Sequence, residues 1–480
     1  MSKPNILFLM PDQLRHDFLS CYGATFIHTP HIDSIAAEGI RYNKAYSTSP
    51  VCVAARHNLL TGLNSIRTGV LGNGQFLRPD YAACGISTWP ELIGRAGYKS
   101  AAIGKMHFYP WDAEMGFDDR VVCEDKRWLH IQDDYAQFLN ERGLRKLHGN
   151  EHEGYQENRG AIVHQHAYKN SWDYFVGSEA ATYIDRYSDE KPFAMMVGFP
   201  GPHCPYDPSP EYANLFQAED MPDSIPEVEG DHPVLRQQNI NGNKGAWNGV
   251  DYTEFTEAHK KKIRAHYAAL VKQIDDVIGE ILQSLRTTGQ LDNTVIIFSS
   301  DHGDYLGDHN LIGKGQFYEA SCHVPLIARL PGGPQNQTSD ELVALADVTP
   351  TMLAIADAEI PAYMDFTPLP GLGLERDNRD YLYGMMGGGW MCFDGRWKLC
   401  KYSTGEHMLF DLEQDPTEEH NVLREQGYGE IYQRLDQELT REIMRSTMAS
   451  HHDKFVYAKD LSGDVDFGKS GWQRPYPKSL

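Results

Sequence analysis

The sequence has no apolar stretch near the roughly eighteen residues that a membrane-spanning helix requires. The short run Ile6–Met10 near its start is too brief for a secretory leader and has no small-residue cleavage site after it. A soluble, cytoplasmic protein is therefore expected, or a periplasmic one if a leader has been removed. There is also no C-x-x-C pair and no zinc-type spacing. The cysteines at 21, 52, 84, 123, 204, 322, 392 and 400 are scattered, which speaks against a disulfide framework and fits a reducing compartment. No repeat with a period of roughly 20–50 residues appears, nor any low-complexity tract, so solenoids and disordered scaffolds are excluded. Basic residues are scarce: 44 Lys and Arg face 67 Asp and Glu, a formal net charge of −23. Such a field excludes nucleic acid and anionic membranes as partners. It also means that an anionic substrate needs a local cluster of cations.

What is present suits a large core, with 41% of 480 residues apolar. Several short apolar runs end abruptly in polar residues. The runs are 5-NILFLM-10 before Pro11-Asp12-Gln13, 99-KSAAIG-104 before Lys105-Met106-His107, 192-PFAMMVGF-199 before Pro200-Gly201-Pro202-His203, and 294-TVIIFSS-300 before Asp301-His302-Gly303. Continuous apolar runs of this length predict strands buried on both faces, as in a parallel sheet. Between them lie helical patterns, the clearest through Ile263, Tyr267, Leu270, Ile274, Val277, Ile281 and Leu285, with Gly289 as its stop. The fold class is thus α/β, with a large, mostly parallel sheet flanked by helices. In such sheets functional groups gather beyond the carboxyl ends of the strands, where all these polar clusters fall.

Residues 1–370 are read as the catalytic α/β domain. Within it, about 124–175 forms a polar insertion over one end of the sheet: a lid, an oligomer contact or a solvated excursion. Residues 371–465 change texture, with short aromatic-rich runs separated by turns at Asp394-Gly395 and Thr404-Gly405. That is hairpin chemistry and predicts a smaller antiparallel α+β subdomain. Residues 466–480 are read as a tail, frayed or clasping another subunit.

Asp12, Gln13, Asp301 and His302 offer mostly hard oxygen ligands with one imidazole. Such a set suits Ca²⁺, Mg²⁺ or Mn²⁺ better than a zinc site. Lys105, His107, His203, Lys314 and Arg56 would supply the positive cluster, an arrangement that suits a tetrahedral oxyanion whose transition state spreads charge over several oxygens. Cys52 and Arg56 are spaced i, i+4, so on a helix they share a face about 6 Å apart. The run 53-VAARHNLLTGL-63 places Cys52 at that helix's amino terminus, where the macrodipole and Arg56 favour an anion. A simple cysteine hydrolase would not need the metal carboxylates.

Cys52-Val53-Ala54-Ala55-Arg56, followed by 57-HNLLTG-62, resembles the signature of type I sulfatases in the alkaline phosphatase superfamily. The other clusters match in chain order: Asp12-Gln13, Gly104-Lys105-Met106-His107, Gly201-Pro202-His203, Asp301-His302, and 311-LIGKGQFYEAS-321 with Lys314. The runs 394-DGRWKL-399 and 408-MLFDLEQDP-416 resemble the family's C-terminal subdomain. The resemblance implies an alkaline-phosphatase-like fold and hydrolysis of a sulfate monoester to alcohol and inorganic sulfate. It implies that Cys52 is oxidised to formylglycine by a formylglycine-generating or equivalent maturation enzyme. The aldehyde hydrate is then the nucleophile, with Asp12, Gln13, position 52, Asp301 and His302 around the metal. Lys105, His203 and Lys314 hold the sulfate, His203 serves the leaving group, His107 acts as a base and Arg56 orients the hydrate. Asn73 is a further candidate at the substrate, as are Trp390, His164 and His166, for which packing or surface roles are equally open. The substrate expected is an aryl, choline or sugar sulfate.

Ala54 stands where proline is commonest in the family, Gln13 where aspartate is frequent and His302 where asparagine is frequent. Similar substitutions occur in choline sulfatases and in phosphonate monoester hydrolases, a sister group that also cleaves phosphodiesters and is the alternative reading. Lys105 with His107 favours the sulfatase. A non-catalytic binding protein is disfavoured, because every catalytic position is occupied.

Overall fold

A computed structural model describes residues 3–227 and 249–453. The predicted strands appear as β1 (Asn5–Asp12), β4 (Lys99–Gly104), β6 (Phe193–Pro202) and β7 (Thr294–Ser299). The large sheet is completed by β2 (Ile40–Tyr42), β5 (Asp119–Val122), β8 (Leu326–Arg329) and β9 (Gln337–Ser339), while β3 (Ala45–Tyr46) and β10 (Val343–Ala344) pair separately. The order across the large sheet is β5-β4-β6-β1-β7-β8-β2-β9. From β5 to β7 every pairing is parallel; β8 runs antiparallel to both its neighbours. The fold is therefore α/β with a mixed, mostly parallel sheet. Because β4, β6, β1 and β7 are adjacent and parallel, their carboxyl ends share one edge.

β1 is buried along its whole length, and its side chains divide by the period of two. Leu7 and Leu9 pack with α2 (Trp172–Arg186) and α3 (Glu257–Thr287) on one face; Ile6, Phe8 and Met10 pack with α1 (Cys52–Thr61) on the other. This double burial explains why the strand reads as an unbroken apolar run. α3 buries the whole periodic set from Ile263 to Leu285 and crosses α2 closely. A Cβ at Gly177 would lie 2.2 Å from the Val277 side chain, so the small residue sets that approach.

Beyond this layer, β11 (Leu382–Met386), β12 (Gly389–Phe393), β13 (Trp397–Tyr402) and β14 (His407–Asp411) form an antiparallel sheet in sequential order. The turns at Asp394-Gly395 and Thr404-Gly405 join β12 to β13 and β13 to β14. One face of this sheet packs on α4 (Gly429–Asp453) through Leu435 and Leu439, and the other on Tyr46, Tyr305, Phe317 and Tyr318 of the large layer. Backbone bonds fasten it near Cys52: Met385 N–H donates to Thr48 O (2.8 Å) and Gly387 N–H to Leu71 O (2.7 Å). The 466–480 tail lies outside the described residues.

The polar segment 124–175 contains the α-helix Asp134–Asn140 and runs into the first turn of α2, and is not simply a solvated excursion. Glu124, Asp125, Lys126, Asp133, Lys146, His152, His164 and His166 are all buried. No helix among the described residues is long and apolar enough to cross a membrane, and no disulfide joins the described cysteines.

Candidate active site

The parallel strand ends bring distant residues together. Asp12 closes β1, and Gln13, at φ 70°, turns the chain so that its N–H donates to Asp301 Oδ1 (3.0 Å) beyond β7. Lys105 follows Gly104, whose φ is +96° and whose added Cβ would lie 2.1 Å from the Gly198 carbonyl. Only glycine lets β4 end so close to β6, and that approach turns Lys105 into the site. His203 follows the end of β6 directly.

Cys52 is the first residue of α1, behind an extended Val51 whose side chain makes no cap. Asn73 supplies the cap instead: its Oδ1 accepts from Val53 N–H at 3.0 Å. That oxygen satisfies one of the orphan donors of the helix start. The Asn73 oxygen thereby holds the helix that carries Cys52.

The ligand atoms of Asp12, Cys52, Asp301 and His302 all lie within 4.8 Å of one another, and all four residues are buried. The Cys52 thiol is 3.2 Å from His302 Nε2 and 3.8 Å from Asp12 Oδ1. His302 Nδ1 lies 2.9 Å from the Gly303 carbonyl and donates to it, so Nε2 faces the cluster. This is how a metal-binding imidazole is oriented. Two carboxylates, one imidazole and a position that can carry oxygen form a donor set that fits a hard divalent cation. Arg56 ties the set together: Nε donates to Asp301 Oδ2 (2.9 Å), Nη2 to Asp12 Oδ2 (3.1 Å) and Nη1 to the Lys105 carbonyl. Its place is on the two carboxylates, rather than on position 52 alone.

Electrostatics in this buried cluster are strongly coupled. Burial alone would raise the Asp12 carboxyl, but Lys105, His203, Arg56 and His302 outweigh it and hold it well below the usual carboxylate range. Burial and Asp12 push the Cys52 thiol up; Lys314, His302 and Lys105 prevail, and its pKa falls below that of an ordinary thiol. Burial disfavours the charge on Lys105, yet Asp12 at 2.8 Å and Asp125 at 2.7 Å raise its pKa.

Lys314 Nζ donates to His203 Nε2 at 2.8 Å and also to Gln13 Oε1. His203 Nδ1 donates to the Cys204 carbonyl at 2.7 Å, which leaves Nε2 as the acceptor. Burial and Lys314 hold the His203 pKa well below its ordinary value, so the ring is neutral. His107 is buried too, and burial with Lys105 depresses its pKa. Among the described residues its Nδ1 has no hydrogen-bond partner.

Several neighbours were missed in the sequence. Asp304 accepts from the Gln13 amide and from Tyr206 O–H (2.8 Å), fixing the amide that stands where the family often has aspartate. The segment 124-EDKRW-128 forms another wall. Glu124 accepts from His107 N–H (3.1 Å), Asp125 bridges Lys105 and Arg127, and Trp128 meets the His107 ring edge-on at 4.9 Å. The acid in Asp301-His302-Gly303-Asp304 was visible as a motif; no local signal marked the other wall. Of the histidines noted earlier, His164 and His166 are buried within the insertion, and Trp390 packs among the side chains under α4.

The family model described as Sulfatase matches residues 4–358. An arylsulfatase of Clostridium perfringens is 31% identical, covering 92% of this chain and 94% of its own. A choline-sulfatase of Rhizobium meliloti is 29% identical, covering 94% and 87%. Among solved structures, the phosphonate monoester hydrolase of Agrobacterium radiobacter superposes with a TM-score of 0.79 at 23% identity, covering 92% of this chain and 96% of that one; this likeness establishes the fold alone. With the profile match across most of its length and an arylsulfatase relative above 30% identity, the chain belongs to the sulfatase family.

Proposed function

We propose that the protein hydrolyses a sulfate monoester through a formylglycine formed from Cys52 and one divalent cation held by Asp12, Asp301 and His302, with Gln13 beside them. The observation that carries this reading is the buried cluster of donor atoms within 4.8 Å at position 52. When bound, the cation supplies Lewis-acid activation of the attacking hydroxyl, which the hydrated aldehyde provides, and neutralises charge on the sulfuryl oxygens. Ca²⁺ fits the carboxylate-rich set best. The imidazole and the amide at Gln13 keep Mn²⁺ and Mg²⁺ as alternatives to be compared. Cys52 is fully buried, so a maturation enzyme has to reach it before the fold closes.

The chain's own residues do the remaining work. Lys105 and Lys314 face the sulfuryl oxygens as fixed cations, where charge develops in the transition state. Arg56 holds both carboxylates, Asp12 and Asp301, through one guanidinium. The departing alkoxide takes its proton from the Lys314–His203 pair, in which the ammonium carries the proton and the imidazole lone pair orients it. His107, neutral and with an open Nδ1, accepts the proton released when sulfate is expelled and the aldehyde re-forms.

The rival reading as a phosphonate monoester hydrolase shares the fold, Gln13 and His302. Lys105, held between Asp12 and Asp125, together with His107 favours the sulfatase, because sulfatases usually carry this pair. The test is turnover by matured enzyme of paired substrates with one leaving group, a sulfate monoester and a phosphonate monoester. The proposal expects the sulfate ester to have the higher kcat/KM; preference for the phosphonate would replace it.

A further inference from the structure

Lys314 belongs to two places at once. It donates to His203 in the reacting centre, and it also lines a groove of about 320 Å³ whose far wall comes from the small sheet. That wall is the glycine turn between β11 and β12 around Gly388, with Ser403 and Thr404 from the turn between β13 and β14 and Gln316 beside Lys314. The turn is preformed: Gly387 N–H donates to Leu71 O (2.7 Å) and Ser403 N–H to Gly388 O (2.9 Å). Gly388 has φ +147°, and a Cβ built there meets nothing within 4 Å, so the groove stays open on that side. An opening that shares its lysine with the proton-donating pair is where the alcohol half of the ester has to lie.

The lining restricts which alcohol fits. Among the described residues no carboxylate lines the groove, and its charged residue is the cation Lys314. A quaternary ammonium is recognised by an aromatic cage or by acids. Here Tyr402 is the single aromatic, and its ring is packed against Gly389, whose added Cβ would lie 2.7 Å from it. Arg127, which influences both His203 and Cys52, adds further positive potential near the centre. An extended apolar aryl group would find little flat apolar wall beyond Met386. What the groove offers is an amide, two hydroxyls and the backbone of a glycine turn, all suited to hydroxyl groups. Its volume is at the lower end of the roughly 300–1,000 Å³ of small-molecule sites, which suits a single ring.

We infer that this groove binds the alcohol part of the substrate, and that this part is a polyhydroxylated ring, uncharged or anionic: a sulfated monosaccharide unit. The inference rests on the sulfatase reading of the site. Its test uses the matured full-length enzyme with hexose and hexosamine sulfates, choline sulfate and 4-nitrophenyl sulfate, and inorganic sulfate as a competitive inhibitor. The best sugar sulfate is expected to exceed choline sulfate in kcat/KM by about 100-fold. Gln316→Leu, which keeps the volume and removes the amide, should raise KM for that sugar about tenfold. Ser403→Trp, which fills the groove, should do so at least as strongly. The inhibition constant of inorganic sulfate should move less than about twofold in either variant, because the sulfate position is untouched. Thr404→Asp should improve choline sulfate relative to the sugar. Choline sulfate equal to or better than every sugar, or an unchanged sugar KM in both Gln316→Leu and Ser403→Trp, overturns the inference while leaving the sulfatase reading standing. If wild-type enzyme turns over no sulfate ester at all, the sulfatase reading itself fails.

Discussion

The large sheet and the small sheet meet at one crevice but bring opposite materials to it. From the carboxyl edge of β1, β4, β6 and β7 come the paired ions Asp12, Lys105 and Asp301 and the neutral His203, all buried. From β11 to β14 come a glycine turn and hydroxyl side chains, with no acid among the described residues that line the groove. A buried ion is costly unless its partners are fixed, so ions belong on the ends of strands that are themselves locked in a core. Selection among alcohols needs shape and neutral hydrogen bonds, which turns of a second, separately packed sheet supply. On the proposed reading, one region fixes the reaction and the other tunes what is delivered to it.

The sharpest way to break this division is at the reaction side. Cys52→Ala is expected to lower kcat/KM at least about 10³-fold for every sulfate ester, with the circular dichroism spectrum unchanged. A loss confined to one ester would place position 52 in selection instead. Next, His203→Ala should cost about 10²–10⁴-fold in kcat for esters of poor leaving groups and far less for activated ones, since only the former need the proton. Equal losses in both would remove the Lys314–His203 pair from that role. Smaller again is Asp125→Asn, which takes one of two carboxylates from Lys105; steady-state kinetics should show about 10–100-fold lower kcat.

The smallest expected effect lies at the seam between the sheets. Lys398 on β13 pairs with Glu319 (2.7 Å) of the large layer and with Glu418. Burial lifts the Glu418 carboxyl to about 7, although Lys398 pulls it down. Its folded pKa thus lies above its ordinary 4.5, and the folded state takes up a proton there. That stabilisation is complete below about pH 4.5 and is lost as pH rises through about 7. Thermal melts should therefore show a midpoint falling by a few degrees from about pH 6 to about pH 8, with a flatter profile in Glu418→Gln. An identical slope in the variant would remove Glu418 from the seam's pH response.

How much of this could be read in the sequence follows from the same contrast. Strands buried on both faces announce themselves as unbroken apolar runs, so their abrupt polar ends, Asp12, Lys105, His203 and Asp301, were visible without a structure. The hairpin turns Asp394-Gly395 and Thr404-Gly405 were equally plain. Asp125, Arg127 and Trp128 were not, because they sit in an aperiodic polar segment and gain their role only when that segment folds back on Lys105 and His107. The capping role of Asn73 was hidden for the converse reason: it lies twenty residues beyond the helix-start N–H from which its oxygen accepts. The glycine run 387-GGG-389 carries no chemistry of its own in the sequence, and only its placement opposite Lys314 gives it meaning.

Asp12, position 52, Asp301 and His302 are proposed to enclose one divalent ion. Calorimetric titration of Ca²⁺ and of Mn²⁺ into metal-stripped wild-type protein and into Asp301→Asn tests it most directly. One site per chain in the wild type, weakened at least about tenfold in the variant, is the predicted result. Equal stoichiometry and affinity in both proteins would contradict it.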